Sequence, residues 1–198
     1  MLGIKAGLWG LLAGSALVLG ALAGYYLKIS QRVIASIMAF GSGVLISALS
    51  FDLMDEAFQI GGFDSTALGF ISGAIVYTFA NILLSKRGAA HRKRSGKQQK
   101  SEKEKAGSGM AIALGALLDG IPESIVIGVS LIGGSSVSLV AVIAIFLSNL
   151  PEGLSSAAGM KKSGRSARYV FLVWGGIMFI SGISAYVGFM AFDGVSAE

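Results

Sequence analysis

The sequence predicts an all-α, polytopic membrane helix bundle with six transmembrane helices, and three observations carry that prediction. Hydrophobic residues fill 54% of the 198 positions, only 14% are charged, and the mean hydropathy is +0.73. A water-soluble domain of this length needs more polar surface. Six apolar stretches are long enough to span a bilayer, which takes about 20 residues. The charged residues, finally, gather in alternate connectors.

The predicted spans are residues 8–27, 33–57, 66–84, 109–132, 137–160 and 167–192. The first follows Lys5 and superficially resembles a signal peptide, but it is long enough to cross and no cleavage site precedes a soluble domain, so it is read as retained. Spans one to three occupy residues 1–84, a basic cytoplasmic loop residues 85–108, and spans four to six residues 109–198. Twenty-nine glycines against two prolines suit closely packed spanning helices. Gly41, Gly43, Gly175 and Gly176 read as close-packing positions. Small-residue faces allow a homodimer and equally allow packing within one chain.

The connectors set the orientation. Lys28 and Arg32 separate the first two spans. Lys86, Arg87, Arg92, Lys93, Arg94, Lys97, Lys100, Lys103 and Lys105 separate the third and fourth. Lys161, Lys162, Arg165 and Arg168 separate the fifth and sixth. Six spans put all three groups on one side, and the opposite connectors, residues 59–65 and 133–136, hold only Asp64. The positive-inside rule makes the basic loops cytoplasmic and both termini external, in a plasma or inner membrane. The Lys, Gln, Ser and Gly content of residues 85–108 predicts a flexible, largely disordered loop near anionic lipid. It contains the only histidine, His91, for which a metal-sensing role is the weaker reading. The basic charge is a topology signal, so no nucleic-acid partner is expected. With no cysteine, disulfides and thiolate metal sites are excluded.

Chemistry concentrates in Asp119-Gly-Ile-Pro122-Glu123 and Ser148-Asn149-Leu-Pro151-Glu152, which align on their prolines. Asp119 and Glu123 are four residues apart and stack on one helical face, as do Ser148 and Glu152. An acid at the centre of a spanning helix costs about 3 kcal/mol on insertion scales, so such acids point to function. Each proline frees a carbonyl four residues earlier, Leu118 and Leu147, which can serve as an oxygen ligand or mark only a packing kink. Together the two spans offer carboxylates, the Asn149 amide, the Ser148 hydroxyl and freed carbonyls, an oxygen-rich set suited to a divalent cation. The repeat suggests pseudo-symmetry around a central site. Asp52, Asp55 and Glu56 end the second span on the external side. They either draw cations to a pore mouth or form a solvated helix end.

These motifs resemble those of the ZIP (Zrt/Irt-like) family of divalent-metal transporters, whose adjacent helices carry His-Asn-x-Pro-Glu-Gly-like sequences around a metal site midway through the membrane. The matching stretches are Asp119-Gly-Ile-Pro-Glu-Ser and Ser148-Asn-Leu-Pro-Glu-Gly. The long loop before the fourth span and the external termini are also like that family. Asp119 and Ser148 stand at histidine positions, and Gly120 replaces a common Asn ligand. Family members have eight spans, so the resemblance implies a fragment or a short form lacking the last two. It implies a transporter moving divalent metal into the cytoplasm, with zinc as substrate by family and iron, manganese or cadmium as other candidates. The metal residues would be Asp119, Glu123, Ser148, Asn149 and Glu152, with Asp52, Asp55 and Glu56 at the entrance. No organic cofactor is expected, and no ATP-binding motif supports primary pumping. The alternatives are a proton- or ion-coupled carrier of another small solute and a non-transporting metal sensor. An enzyme is not expected, since an intramembrane hydrolase using Asp119 and Glu152 would lack a nucleophile motif.

Overall fold

The computed structural model describes residues 1–97, 99, 101, 103–105, 107–132 and 136–193. The predicted connector 133–136, apart from Ser136, lies outside the described residues, as do Lys100 and the tail beyond Asp193. Helix α1 is Leu2–Tyr26, α2 Gln31–Ala48, α3 Met54–Leu84, α4 Ser108–Val129, α5 Leu139–Lys162 and α6 Ala167–Phe192. Serine caps start three of them, where the Ser30, Ser138 and Ser166 hydroxyls accept from the backbone N–H of Val33, Ala141 and Tyr169.

Among the described residues, five helical stretches are long and apolar enough to cross a membrane. The second and third predicted spans fall within one of them, the 59-residue stretch Gln31–Ala89. A π-helical turn, Leu49–Leu53, joins α2 to α3. The predicted connector 59–65 stays helical except at Gly62, whose φ of 70° and ψ of −177° belong to a region open essentially to glycine alone. A straight helix of this length would measure about 88 Å. Its two ends nevertheless meet one short piece of chain. The Gln31 Nε2 donates to the Ser95 carbonyl at 3.0 Å, and Arg92 donates to Asn81 Oδ1 at 2.8 Å. Ser50, Met54 and Phe58 before Gly62, and Phe63, Ala67 and Phe70 after it, line one cavity of about 460 Å³. The stretch therefore doubles back at Gly62.

Helix α1 is the centre of the packing, against α5 on one side and α6 on the other, with α4 on α6 and α2 on α5. Backbone proximity sets these contacts. A Cβ at Gly20 or Gly24 would run into the carbonyl oxygens of Leu150 or Leu154, and one at Gly153 into that of Leu17. Gly128 meets the Ala185 carbonyl in the same way. Leu17, Ile112, Met160, Val170 and Trp174 fill the space between these helices. Of the predicted close-packing glycines, Gly41 abuts Pro151, but Gly43, Gly175 and Gly176 have nothing within 4 Å of an added Cβ. The tight crossings use other helix faces, and Gly43 borders open space between α2 and α5 instead. No residue of α3 is buried, and Phe58, Phe63, Phe70, Ile75 and Phe79 are all exposed.

The basic connectors collect at one end of the bundle. Tyr25 Oη donates to the Arg165 carbonyl, Lys161 Nζ to the Tyr25 carbonyl, and Arg165 to Ser108 Oγ. Gly3 packs against Tyr186, Phe189 and Met190, so the start of α1 and the end of α6 share the other end.

Gly62→Val is expected to lower stability by about 1–3 kcal/mol, since a branched residue must hold a glycine-only conformation. Thermal unfolding in detergent reads this, with Gly69→Ala, which faces open space, as the unaffected control. By the same measurement Gly20→Ala should destabilise by about 1–3 kcal/mol through overpacking. Gly175→Ala should be neutral or stabilising by up to about 1 kcal/mol.

Candidate functional site

Helices α4 and α5 bring the central acids together. Lys93 Nζ lies 3.1 Å from Asp119 Oδ2 and 2.8 Å from Glu152 Oε2, so one ammonium bridges acids on two helices. Arg92 Nη2 adds a second cation, 3.2 Å from Asp119 Oδ2. Tyr77 on α3 donates its hydroxyl to Asp119 Oδ1 at 2.5 Å. Glu123 is one turn beyond Asp119 and interacts electrostatically with Glu152, Lys93 and Asp119. It takes part in no ion pair among the described residues.

The other predicted ligands have hydrogen-bond partners of their own or stand apart from the central acids. Asn149 is buried and donates Nδ2 to the Ala13 carbonyl at 3.2 Å, which ties α5 to α1. Ser148 Oγ donates within its own helix to the Ile145 carbonyl. Asp52, in the π-helical turn, accepts from Ser138 Oγ at 3.2 Å, and Asp55 accepts from Gln59. Glu56 is exposed. These three lie about 30 Å along α2 from the Gln31 end, apart from the central acids. A cavity of about 780 Å³ between α2 and α5 runs beside Asp52, lined by Phe40, Gly43, Ser47 and Ile143 among others. Among the described residues no three His, Asp or Glu side chains converge as a metal cluster.

The expectation of a loosely solvated loop fails at Arg92, Lys93, Ser95 and Gln99. Arg92, Ser95 and Gln99 are buried. Gln99 Nε2 donates to the carbonyls of Arg92, Arg94 and Ser156, and Ser155 Oγ donates to the Lys93 carbonyl at 2.7 Å. Two glycines make room. A Cβ at Gly159 would strike the Arg94 carbonyl, and one at Gly115 would come within 2.5 Å of Arg92 Cδ. The physical reason is charge: an ionised acid inside an apolar bundle is stabilised by a paired cation, and the loop supplies two for Asp119 and Glu152. That requirement was the available signal, together with the polar edge Ser155-Ser156 on α5 and Gly115 one turn before Asp119.

Burial works against a charge on Lys93, but the Glu152 and Asp119 carboxylates outweigh it and hold its pKa above the usual lysine value. While both carboxylates stay ionised, the pairing supports the fold fully up to about pH 10.4, the ordinary lysine value, and on the alkaline side is lost as pH rises through the raised one.

No protein-family model, curated protein or solved structure matches this chain.

A double-mutant cycle checks the bridge. Lys93→Met and Glu152→Gln should be non-additive in unfolding free energy by about 0.5–3 kcal/mol, while Lys93→Met and Asp52→Asn add within about 0.5 kcal/mol.

Proposed function

We propose that this chain is an integral membrane carrier of divalent cations, of the ZIP type, that moves them towards the cytoplasm. The reading rests on one observation above others: Asp119 and Glu152, from two helices, share one ammonium inside an apolar bundle, with Glu123 one turn beyond Asp119. Helical carboxylates at this density serve a cation or a proton.

In this reading the stretch Gln31–Ala89 crosses twice, with its reversal at Gly62, so the chain makes six crossings. The exposed apolar surface of α3 faces lipid or a second copy of the chain. The end that gathers Lys28, Arg92, Lys161 and Arg165 is cytoplasmic, and Met1 and Phe192 are external. A cation enters near Asp52, Asp55 and Glu56, passes to the central acids, and is released as the helices rock around them. Asn149 and Ser148 would complete the shell only after leaving their present partners. An oxygen-only donor set favours harder divalent ions, and zinc enters from the family resemblance alone.

Uptake by the purified chain in liposomes tests this. Zinc, iron, manganese, cadmium and magnesium are offered in turn, with flux read by an entrapped indicator. At least one should move, and Glu123→Gln and Glu152→Gln should each slow it about tenfold or more, equivalent to at least 1.4 kcal/mol. Gly176→Ala, away from every contact, should not. Folded protein that moves none of these ions would exclude metal carriage and leave the proton-coupled and sensor alternatives.

A further inference from the structure

We propose that Lys93 is a tethered cation that keeps the carboxylate pair closed, so that the basic loop acts as a gate which an incoming divalent cation displaces. The inference rests on the carrier reading above and deepens it, since it concerns how the same acids are made available.

The geometry carries it. A cation bridging Asp119 and Glu152 would sit where the Lys93 ammonium now sits, within hydrogen-bond distance of both. The two cannot occupy that position together, and their like charges repel. The charged groups around the position are Asp119, Glu123 and Glu152 on α4 and α5, with Arg92 and Lys93 from the loop and the Tyr77 hydroxyl from α3.

Arg92 and Lys93 divide the work. The Arg92 side chain is 9% exposed, lies on Gly115, and bonds Asn81, Tyr77 and Asp119. Its planar fork is fixed in place. Lys93 keeps 37% of its side chain accessible, while Asp119 and Glu152 keep only 11% and 13%. It is a compact charge on a flexible stem, and among the described residues its ammonium pairs with the two acids alone. Arg92 anchors the loop and Lys93 is the part that can leave. The segment behind it is tied by hydrogen bonds to Gln31, Ser155 and Ser156, which can break and re-form.

The absence of native cysteine permits a direct test. Gln31→Cys and Ser95→Cys are joined by a short, reducible thiol crosslinker to fix the loop in its docked position. Manganese binding and uptake are then measured in liposomes for the wild type, the crosslinked pair and Lys93→Met. Lys93→Met should bind manganese about tenfold more tightly, because the competent state no longer competes with the docked one. Crosslinking should slow uptake about tenfold or more, and reduction should restore it. If Lys93→Met does not fold, the crosslinked pair alone decides. Equal uptake with the loop fixed or free, or unchanged affinity in Lys93→Met, would overturn the gate while leaving the carrier reading intact. If manganese does not move, zinc, iron, cadmium and magnesium are offered in turn, and no flux of any of the five in any variant, the reduced pair included, would remove the carrier reading and the gate with it.

Discussion

Ionised carboxylates inside an apolar bundle have to be compensated, and the pairing of Asp119 and Glu152 with Lys93 and Arg92 is how this chain does so. Much of the structure around the site follows from it. The cations come from a connector rather than from a helix, so that connector must enter the bundle. Entry requires space, supplied by Gly115 beneath Arg92 and Gly159 beneath Arg94. It also requires partners for the backbone carried inward, supplied by Ser155 and Gln99.

A second constraint operates away from the site. Lipid tails give apolar side chains no reason to prefer one another, so helices associate through close packing. The contacts of α1 with α5 show this in Gly20, Gly24 and Gly153, each pressed against a backbone carbonyl. Fixing α1 against α5 also presents Ala13 to Asn149, whose amide then locks the register of the motif-bearing helix. Packing and site geometry are thus coupled through one buried side chain. Asn149, expected as a ligand, also bonds across to α1.

The helices were legible from the sequence because hydropathy and length suffice to find them. Residues 109–132, 137–160 and 167–192 lie close to α4, α5 and α6. The gathering of the basic connectors at one end was legible too, since Lys and Arg in loops can be counted without three-dimensional information. Gly62 was hidden because the sequence around it continues in helix-compatible residues, and its positive φ is a property of the fold. Gly175 and Gly176 misled for a related reason: composition finds small residues but not which face they occupy. Among the site residues, i, i+4 spacing identified Asp119 with Glu123 as one surface. Arg92 and Lys93 escaped because a run of basic residues looks solvated unless the charge balance of the spans is considered together with it.

That balance bears on selectivity in the proposed carrier. A tethered ammonium competes at the high effective concentration that a short connection imposes, in the millimolar range or above. A monovalent ion offers the Asp119 and Glu152 pair no more charge than Lys93 already provides, and it must also lose water. A divalent ion doubles the attraction to each carboxylate at similar distance and could draw on Glu123, which has no ion pair among the described residues. Displacing the lysine therefore favours divalent ions through charge rather than through the softness of an imidazole. A site with no histidine among Asp119, Glu123, Ser148, Asn149 and Glu152 can discriminate in this way. In the proposed carrier the ligand set would not need to recognise one metal tightly, because the internal cation would set the threshold that any external one must exceed.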